Sequence, residues 1–307
     1  TVYVPIKDVA QYFGYESYSG EYGGTSESSN KCYVQNENEV ANFTLGSNKI
    51  YKLDLADQSE NYEYRYSKKP VKAINGKLYA TSETIEKSFN VIFQYEQEKN
   101  RIYIYTLPYL IEQYSPKALD YGYAKVSDSF VNQKAILHDM MVVQKDEEGK
   151  KGVLKTDGTV VLEPKYDDIT YLEDVDNFLV KNNEKYGIIS SKKETKVQII
   201  YDKIELMDAD AGLYLVKKDN KYGVMDFKGN IRIYIENDEI GVDAGKFEEN
   251  GIKNKYILAG NLIPVRKDEK WGLYDKSGKQ LVDFKYDSLG YIASNNKDAI
   301  NLLVIPD

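Results

Sequence analysis

Leu213-Tyr214-Leu215-Val216-Lys217-Lys218-Asp219-Asn220-Lys221-Tyr222-Gly223-Val224-Met225-Asp226-Phe227-Lys228-Gly229-Asn230-Ile231-Arg232-Ile233-Tyr234-Ile235 holds one structural unit of this chain. Leu213–Val216 is a strand-like run, and Lys218–Lys221 supplies polar turn residues. Tyr222, Val224 and Asp226 then alternate with Gly223 and Met225. Lys228-Gly229-Asn230 turns the chain again, and Ile231, Ile233 and Ile235 alternate with Arg232, Tyr234 and Glu236. That period of two, with one apolar face, predicts a three-stranded antiparallel meander.

The unit recurs. Lys150-Lys151-Gly152, Lys185-Tyr186-Gly187, Lys221-Tyr222-Gly223 and Lys270-Trp271-Gly272 place their glycines 35, 36 and 49 residues apart. Fourteen residues after each glycine stand Tyr166-Asp167, Tyr201-Asp202, the worn Asn237-Asp238, and Tyr286-Asp287. Asp157-Gly158 and Ser277-Gly278 fill the second turn, whereas Lys193-Glu194 lacks the glycine and is expected to turn differently. The longest spacing holds an insertion near Gly241–Asn261, and Asn301–Ile305 reads as the opening of a fifth copy. A lone meander leaves its apolar face bare, so neighbouring copies must stack. The glycine in mid-strand is expected to admit an aromatic ring of the neighbouring copy, with a β-bulge as the other explanation.

Lys270-Trp271-Gly272, Ser277-Gly278 and Lys285-Tyr286-Asp287-Ser288-Leu289 resemble the bacterial WG (KWG) repeat. The resemblance spans residues 135–307 and implies a repeat architecture with no common enzymatic activity.

The first hundred residues have another pattern. Tyr3-Val4-Pro5 leads into Ile6-Lys7-Asp8-Val9-Ala10-Gln11-Tyr12-Phe13, read as a strand running into a short helix that Gly14 can cap. Tyr79, Ile85, Phe89 and Asn90 repeat Tyr3, Val9, Phe13 and Gly14 after 76 residues, with Thr81 placed to cap the second helix. Arg101–Tyr105 reads as a strand, and Ser17–Ser29 as a loop. Tyr3–Ala10 with Phe13-Gly14-Tyr15 and Phe43–Ser47 resembles the copper amine oxidase N-terminal-like (stalk) domain of Gram-positive surface proteins. That resemblance covers residues 1–106 and implies a small, non-catalytic α+β module in exported proteins. It implies no copper here, because one histidine, His138, cannot form a cluster.

Composition narrows the classes. The 307 residues carry 41 basic and 49 acidic side chains, a net charge of −8, with no basic cluster to hold nucleic acid or an anionic membrane. No apolar run reaches the roughly 20 residues of a membrane span. Cys32 is alone, which rules out an internal disulfide. Tyrosine is abundant, at 29 residues, and suits half-buried strand faces and binding surfaces alike.

Candidate chemistry is thin. His138 followed by Asp139 suggests a triad only if a serine joins them, and nothing pairs His138 with Cys32. With 49 acidic residues, no carboxylate pair stands out for a glycosidase. The acidic loops Asp174–Asp176 and Asp208–Gly212 could hold Ca²⁺ but are expected to be solvated inter-repeat loops. Counting from Asp208, the EF-hand glycine and glutamate positions hold Leu213 and Asp219, so that motif fails. Tyr-Asp could line a sugar groove, but internal packing with the aspartate bonding a turn is the expected role.

The sequence therefore predicts a mainly β chain: an α+β domain over 1–106, a connector over 107–134, and a tandem β-meander array over 135–307, propeller-like or an open solenoid. The expected function is non-catalytic binding or scaffolding at the cell surface, with a wall glycan or a protein as partner and the signal peptide absent from this sequence. A hydrolase of wall material and a structural spacer are the alternatives. No cofactor, metal or catalytic residue is assigned; Lys185, Tyr186, Gly187, Lys221, Tyr222, Gly223, Lys270, Trp271, Gly272, Tyr166, Asp167, Tyr201, Asp202, Tyr286 and Asp287 are read as structural, with a possible ligand face.

Overall fold

A computed structural model describes residues 2–24, 28–55, 63–67, 69–89, 91–127, 134–146, 149–208, 211–242, 256–258, 261–292 and 301–305. The chain divides into two compact units, Thr1–Gln113 and Tyr114–Asp307. Architecture is mostly β, with antiparallel sheets following one another along the second unit.

In the first unit the strands Tyr3–Pro5 and Lys77–Thr81 pair antiparallel, and each runs into a helix, α1 (Ile6–Tyr12) or α2 (Ser82–Phe89). The two sequence copies thus pair with each other. Helix α1 ends as its glycine suggested: Gly14 has φ +76°, and Tyr15 N–H donates to Ala10 C=O at 3.1 Å while Gly14 N–H donates to Gln11 C=O at 3.2 Å. Thr81 Oγ1 caps α2, accepting Thr84 N–H at 3.2 Å. Asn90 lies outside the described residues. Phe13 and Phe89, equivalent positions in the two copies, stack at 6.2 Å.

A five-stranded meander completes this unit: Glu16–Ser19, Lys31–Gln35, Glu39–Thr44, Lys49–Asp54 and Glu63–Tyr66. Ser17–Ser19, read as loop in the sequence, form a strand because Cys32–Val34 offer them a ladder. Val34, Ala41, Phe43 and Ile50 bury one face against Ile6, Ala10, Ile85 and Phe89. Arg101–Thr106 pairs with Val91–Glu96, and helix α3 (Leu107–Asp120) carries Pro116 within it.

The second unit repeats one sheet. Its first sheet is Lys125–Val126, Met140–Gln144, Lys151–Lys155 and Val160–Tyr166. The second is Asp168–Leu172, Asn177–Asn182, Lys185–Ser190 and Thr195–Tyr201. The third is Lys203–Asp208, Leu213–Lys218, Lys221–Asp226 and Ile231–Asn237. The fourth is Glu239–Ile240, Ile263–Lys267, Lys270–Tyr274 and Gln280–Tyr286. Ser288–Ile292 and Asn301–Ile305 pair as the start of a fifth.

Each unit has four strands rather than the three expected. The chain breaks at Tyr-Asp, and the residues after the aspartate open the next sheet instead of ending the present one. Cores form between successive sheets: Tyr166 packs with Ile169, Phe178 and Val180, and Tyr201 with Ile204, Tyr214 and Val216. Most of the insertion near Gly241–Asn261 lies outside the described residues; Tyr256 and Ile257 return from it into the third-to-fourth-sheet core.

Candidate functional site

The mid-strand glycine answers to a bulge, and the expectation of a neighbouring copy's ring is corrected. Tyr186 pairs with Tyr201 and Ile188 with Val197, so Gly187 alone faces three residues of the fourth strand. The other three copies repeat the shift between Lys151 and Val153, Tyr222 and Val224, and Trp271 and Leu273. A Cβ on Gly223 would meet Ile233 C=O at 2.7 Å and Ile235 Cα at 3.0 Å; on Gly187 it would meet Val197 C=O at 2.8 Å. The bulge throws Pro164, Ile199, Ile235 or Phe284 across the bare backbone. Pro164 is tolerated in a strand for the same reason.

The second turn of copy two is also corrected. Lys193 takes φ +68°, beside +92°, +88° and +90° for Gly158, Gly229 and Gly278, and makes the same turn bond, Lys193 N–H to Ser190 C=O at 2.9 Å. Its ammonium donates to Val160 C=O of the preceding sheet at 2.9 Å. In the third and fourth copies the glycine backbone itself presses on the preceding sheet, at Lys196 C=O and Arg232 C=O.

Lysine and aspartate of the motif meet in every copy, 17 residues apart: Lys150–Asp167, Lys185–Asp202, Lys221–Asp238 and Lys270–Asp287. The second carboxylate oxygen serves the next sheet. Asp167 accepts Asn183 N–H at 2.7 Å, Asp202 accepts Asp219 N–H at 2.8 Å, and Asp238 accepts Asp268 N–H at 2.7 Å. These amides lie in two-residue turns with both φ positive, such as Asp219 (+51°) and Asn220 (+62°). Backbone bonds reinforce the junction, with Asp202 N–H donating to Lys217 C=O at 2.9 Å. The lysine, then the turn amide, hold Asp167 and Asp202 below the ordinary carboxylate range, and Asp202 in turn raises Lys185.

The aromatic members sit on the sheets. Tyr166 and Tyr201 are buried in the inter-sheet cores, whereas Tyr186, Tyr222, Trp271 and Tyr286 are half-buried. Lys181, Lys217 and Lys285 stand over the Tyr186, Tyr222 and Tyr286 rings at 5.8, 5.3 and 5.4 Å. In the worn copy, Asn237 replaces the tyrosine and donates to Tyr222 C=O and Tyr234 C=O at 3.1 and 2.7 Å.

The other candidates stay apart. His138 meets Glu173 at 3.5 Å and the Tyr171 ring at 5.3 Å, with no serine bonded to it among the described residues. Cys32 is buried in the first unit, its thiol pushed up to about 11 by that burial. Asp176 accepts the Tyr171 and Ser191 hydroxyls, and Asp208 accepts Ala211 N–H and Lys276. No group of metal-binding side chains occurs among the described residues.

One feature escaped the sequence reading. Across the first four strands of the five-stranded sheet the register Tyr18↔Tyr33↔Asn42↔Tyr51 lines three tyrosines and an asparagine in one row. Tyr18 and Tyr33 stack at 4.9 Å, and Tyr22 meets Tyr33 edge-on at 5.6 Å. Beside the row lies a cavity of about 180 Å³ whose wall includes Glu21, Lys31, Asn42, Thr44, Ser47 and Tyr51. The tyrosine-rich alternation was the available signal, but the row depends on register, which composition does not carry.

The family comparison agrees with the repeat geometry. The family model "WG containing repeat" matches residues 152–186, 186–222 and 271–297. A search of curated proteins returns no match. Among solved structures, a functionally unknown protein from Desulfotomaculum acetoxidans is 9% identical, with 95% of this chain and 99% of that one aligned, at a TM-score of 0.23. PorZ, a surface component of the type-IX secretion system of Porphyromonas gingivalis, is 11% identical over 89% of this chain and 36% of its own, also at 0.23. Scores this low carry no argument, and the fold rests on the chain's own geometry. The second unit is a tandem β array that carries the WG containing repeat at three places.

Proposed function

We propose that this chain is a non-catalytic binding or scaffolding protein of an exported, Gram-positive cell-surface type, its first unit a stalk-like module and its ligand a wall glycan or a surface protein. The observation that carries this reading is the fourfold Lys–Asp junction. The charged residues that recur in the motif hold sheet to sheet, so the repeat supplies length and rigidity, and its surface is left to vary. Catalysis is usually built from unlike residues meeting once, and the recurring residues here are alike.

Cosedimentation of the whole chain with purified Gram-positive cell wall tests the reading. Saturable binding that survives moderate salt is the expected outcome. Absence of binding, both to wall and in a pull-down from the surface proteome, refutes it.

A further inference from the structure

We propose that the outward face of the five-stranded sheet is a glycan-binding site, with one pyranose ring of a neutral chain seated in the cavity beside Asn42 and Tyr51. This rests on the binding reading above and names its ligand class and its place. Sugar rings combine an apolar face of C–H groups with a rim of hydroxyls, so their sites pair aromatic side chains with a few placed polar groups. Both are present. Tyr18 stacks on Tyr33 and remains 38% exposed at the end of the row. Asn42 is 8% exposed; its Oδ1 accepts Tyr22 N–H at 3.0 Å, and its NH₂ has no partner among the described residues. An amide offers two donors, which suits a hydroxyl oxygen in the cavity that Asn42 lines.

Charge selects a neutral ligand. Glu21 and Lys31, the charged pair of the cavity wall, bind each other at 2.6 Å and cancel, and the Lys49 ammonium next to the wall is spent on one face of the Tyr51 ring at 4.6 Å. A polyanion or a polycation would have to break that pair, whereas a neutral ring can take bonds from both.

The test is titration calorimetry of the full chain with chitohexaose, cellohexaose and, as a charged control, dextran sulfate. Saturable binding of at least one neutral oligosaccharide is expected. Asn42→Ala or Tyr51→Ala should weaken it about ten-fold, the scale of one lost ligand hydrogen bond or ring contact. If these variants melt early, Tyr18→Ala at the exposed end decides, with a loss of about three-fold. Failure of both neutral oligosaccharides, tighter binding of dextran sulfate, or unchanged affinity in the folded variants overturns the proposal. Wall cosedimentation that persists in Tyr18→Ala and Tyr51→Ala would sink this site alone and leave the broader reading standing.

Discussion

The two units use internal repetition in opposite ways. In the first, two strand–helix copies pair with each other through Tyr3–Pro5 and Lys77–Thr81 and share one core. In the second, each of the first three copies hands its aspartate to the next, and cores lie between neighbours. A pair closes on itself, so damage to either copy damages the whole. A series passes damage only to adjacent members. Two natural reporters separate these cases: Cys32, the sole cysteine, lies in the first unit, and Trp271, the sole tryptophan, in the second.

The harshest challenge to the contrast is Phe89→Ala. Phe89 packs on Phe13, Tyr15 and Phe43, and its loss should cost about 3–5 kcal/mol. Cys32 should then react with a thiol reagent under native conditions, while the Trp271 unfolding midpoint in denaturant stays put. A protected Cys32 would show that the pair is less interdependent than its shared core implies.

Gly223→Val comes next. Its Cβ would strike the bulged strand's backbone, and a destabilisation of about 1–3 kcal/mol is expected in the Trp271 transition. Cys32 protection should not change. An unmoved Trp271 midpoint would remove the bulge from the account.

Acid should act on the junctions with a smaller effect. Asp167, Asp202 and Asp238 have folded pKa values depressed by their lysines and turn amides. Their contribution is complete above the unfolded value of about 3.9 and is lost as pH falls through the lower folded values. The Trp271 midpoint, followed downward from pH 6, should therefore drop at the acid end, and Asp202→Asn should flatten that drop. An identical profile in the variant would mean that the junction aspartates do not govern acid stability.

The mildest change is Lys193→Gly. It relieves a left-handed backbone and loses the bond to Val160, so stability should move by less than about 1 kcal/mol. A larger loss in thermal melts would make this side chain an essential tie between sheets.

Legibility followed the range of the interaction. Alternation in Ile231–Ile235 and the turn at Lys228-Gly229 are local, and the strands fell where they suggested. Gly14 and Thr81 announced their caps for the same reason. The sheet to which Asp168–Leu172 belongs was not legible, because alternation is the same whichever neighbour a strand joins. Lys125–Val126 is too short to have a period. For Gly187 the sequence offered a bulge as one of two readings and could not choose it, since a two-residue excess in the partner strand leaves no mark near the glycine. Lys193 misled in the other direction: turn geometry imposed by the neighbours overrode a residue's own preference.

The interval from lysine to aspartate is 17 residues in all four copies, while the stretch between the first and second strands varies freely. That stretch runs over 173–176 and 209–212 in the middle copies, but over 127–139 and 241–262 in the outer two. Most of the length variation is thus diverted to this one connection, with a smaller share in 145–150 of the first sheet, and no Lys–Asp junction of the motif crosses it. An engineer wishing to graft a foreign peptide, a cleavage site or a fluorophore should open the chain between Asp174 and Val175, leaving Asp176 to hold Tyr171 and Ser191. New sequence can be spliced there without disturbing the ruler that sets each sheet against the next.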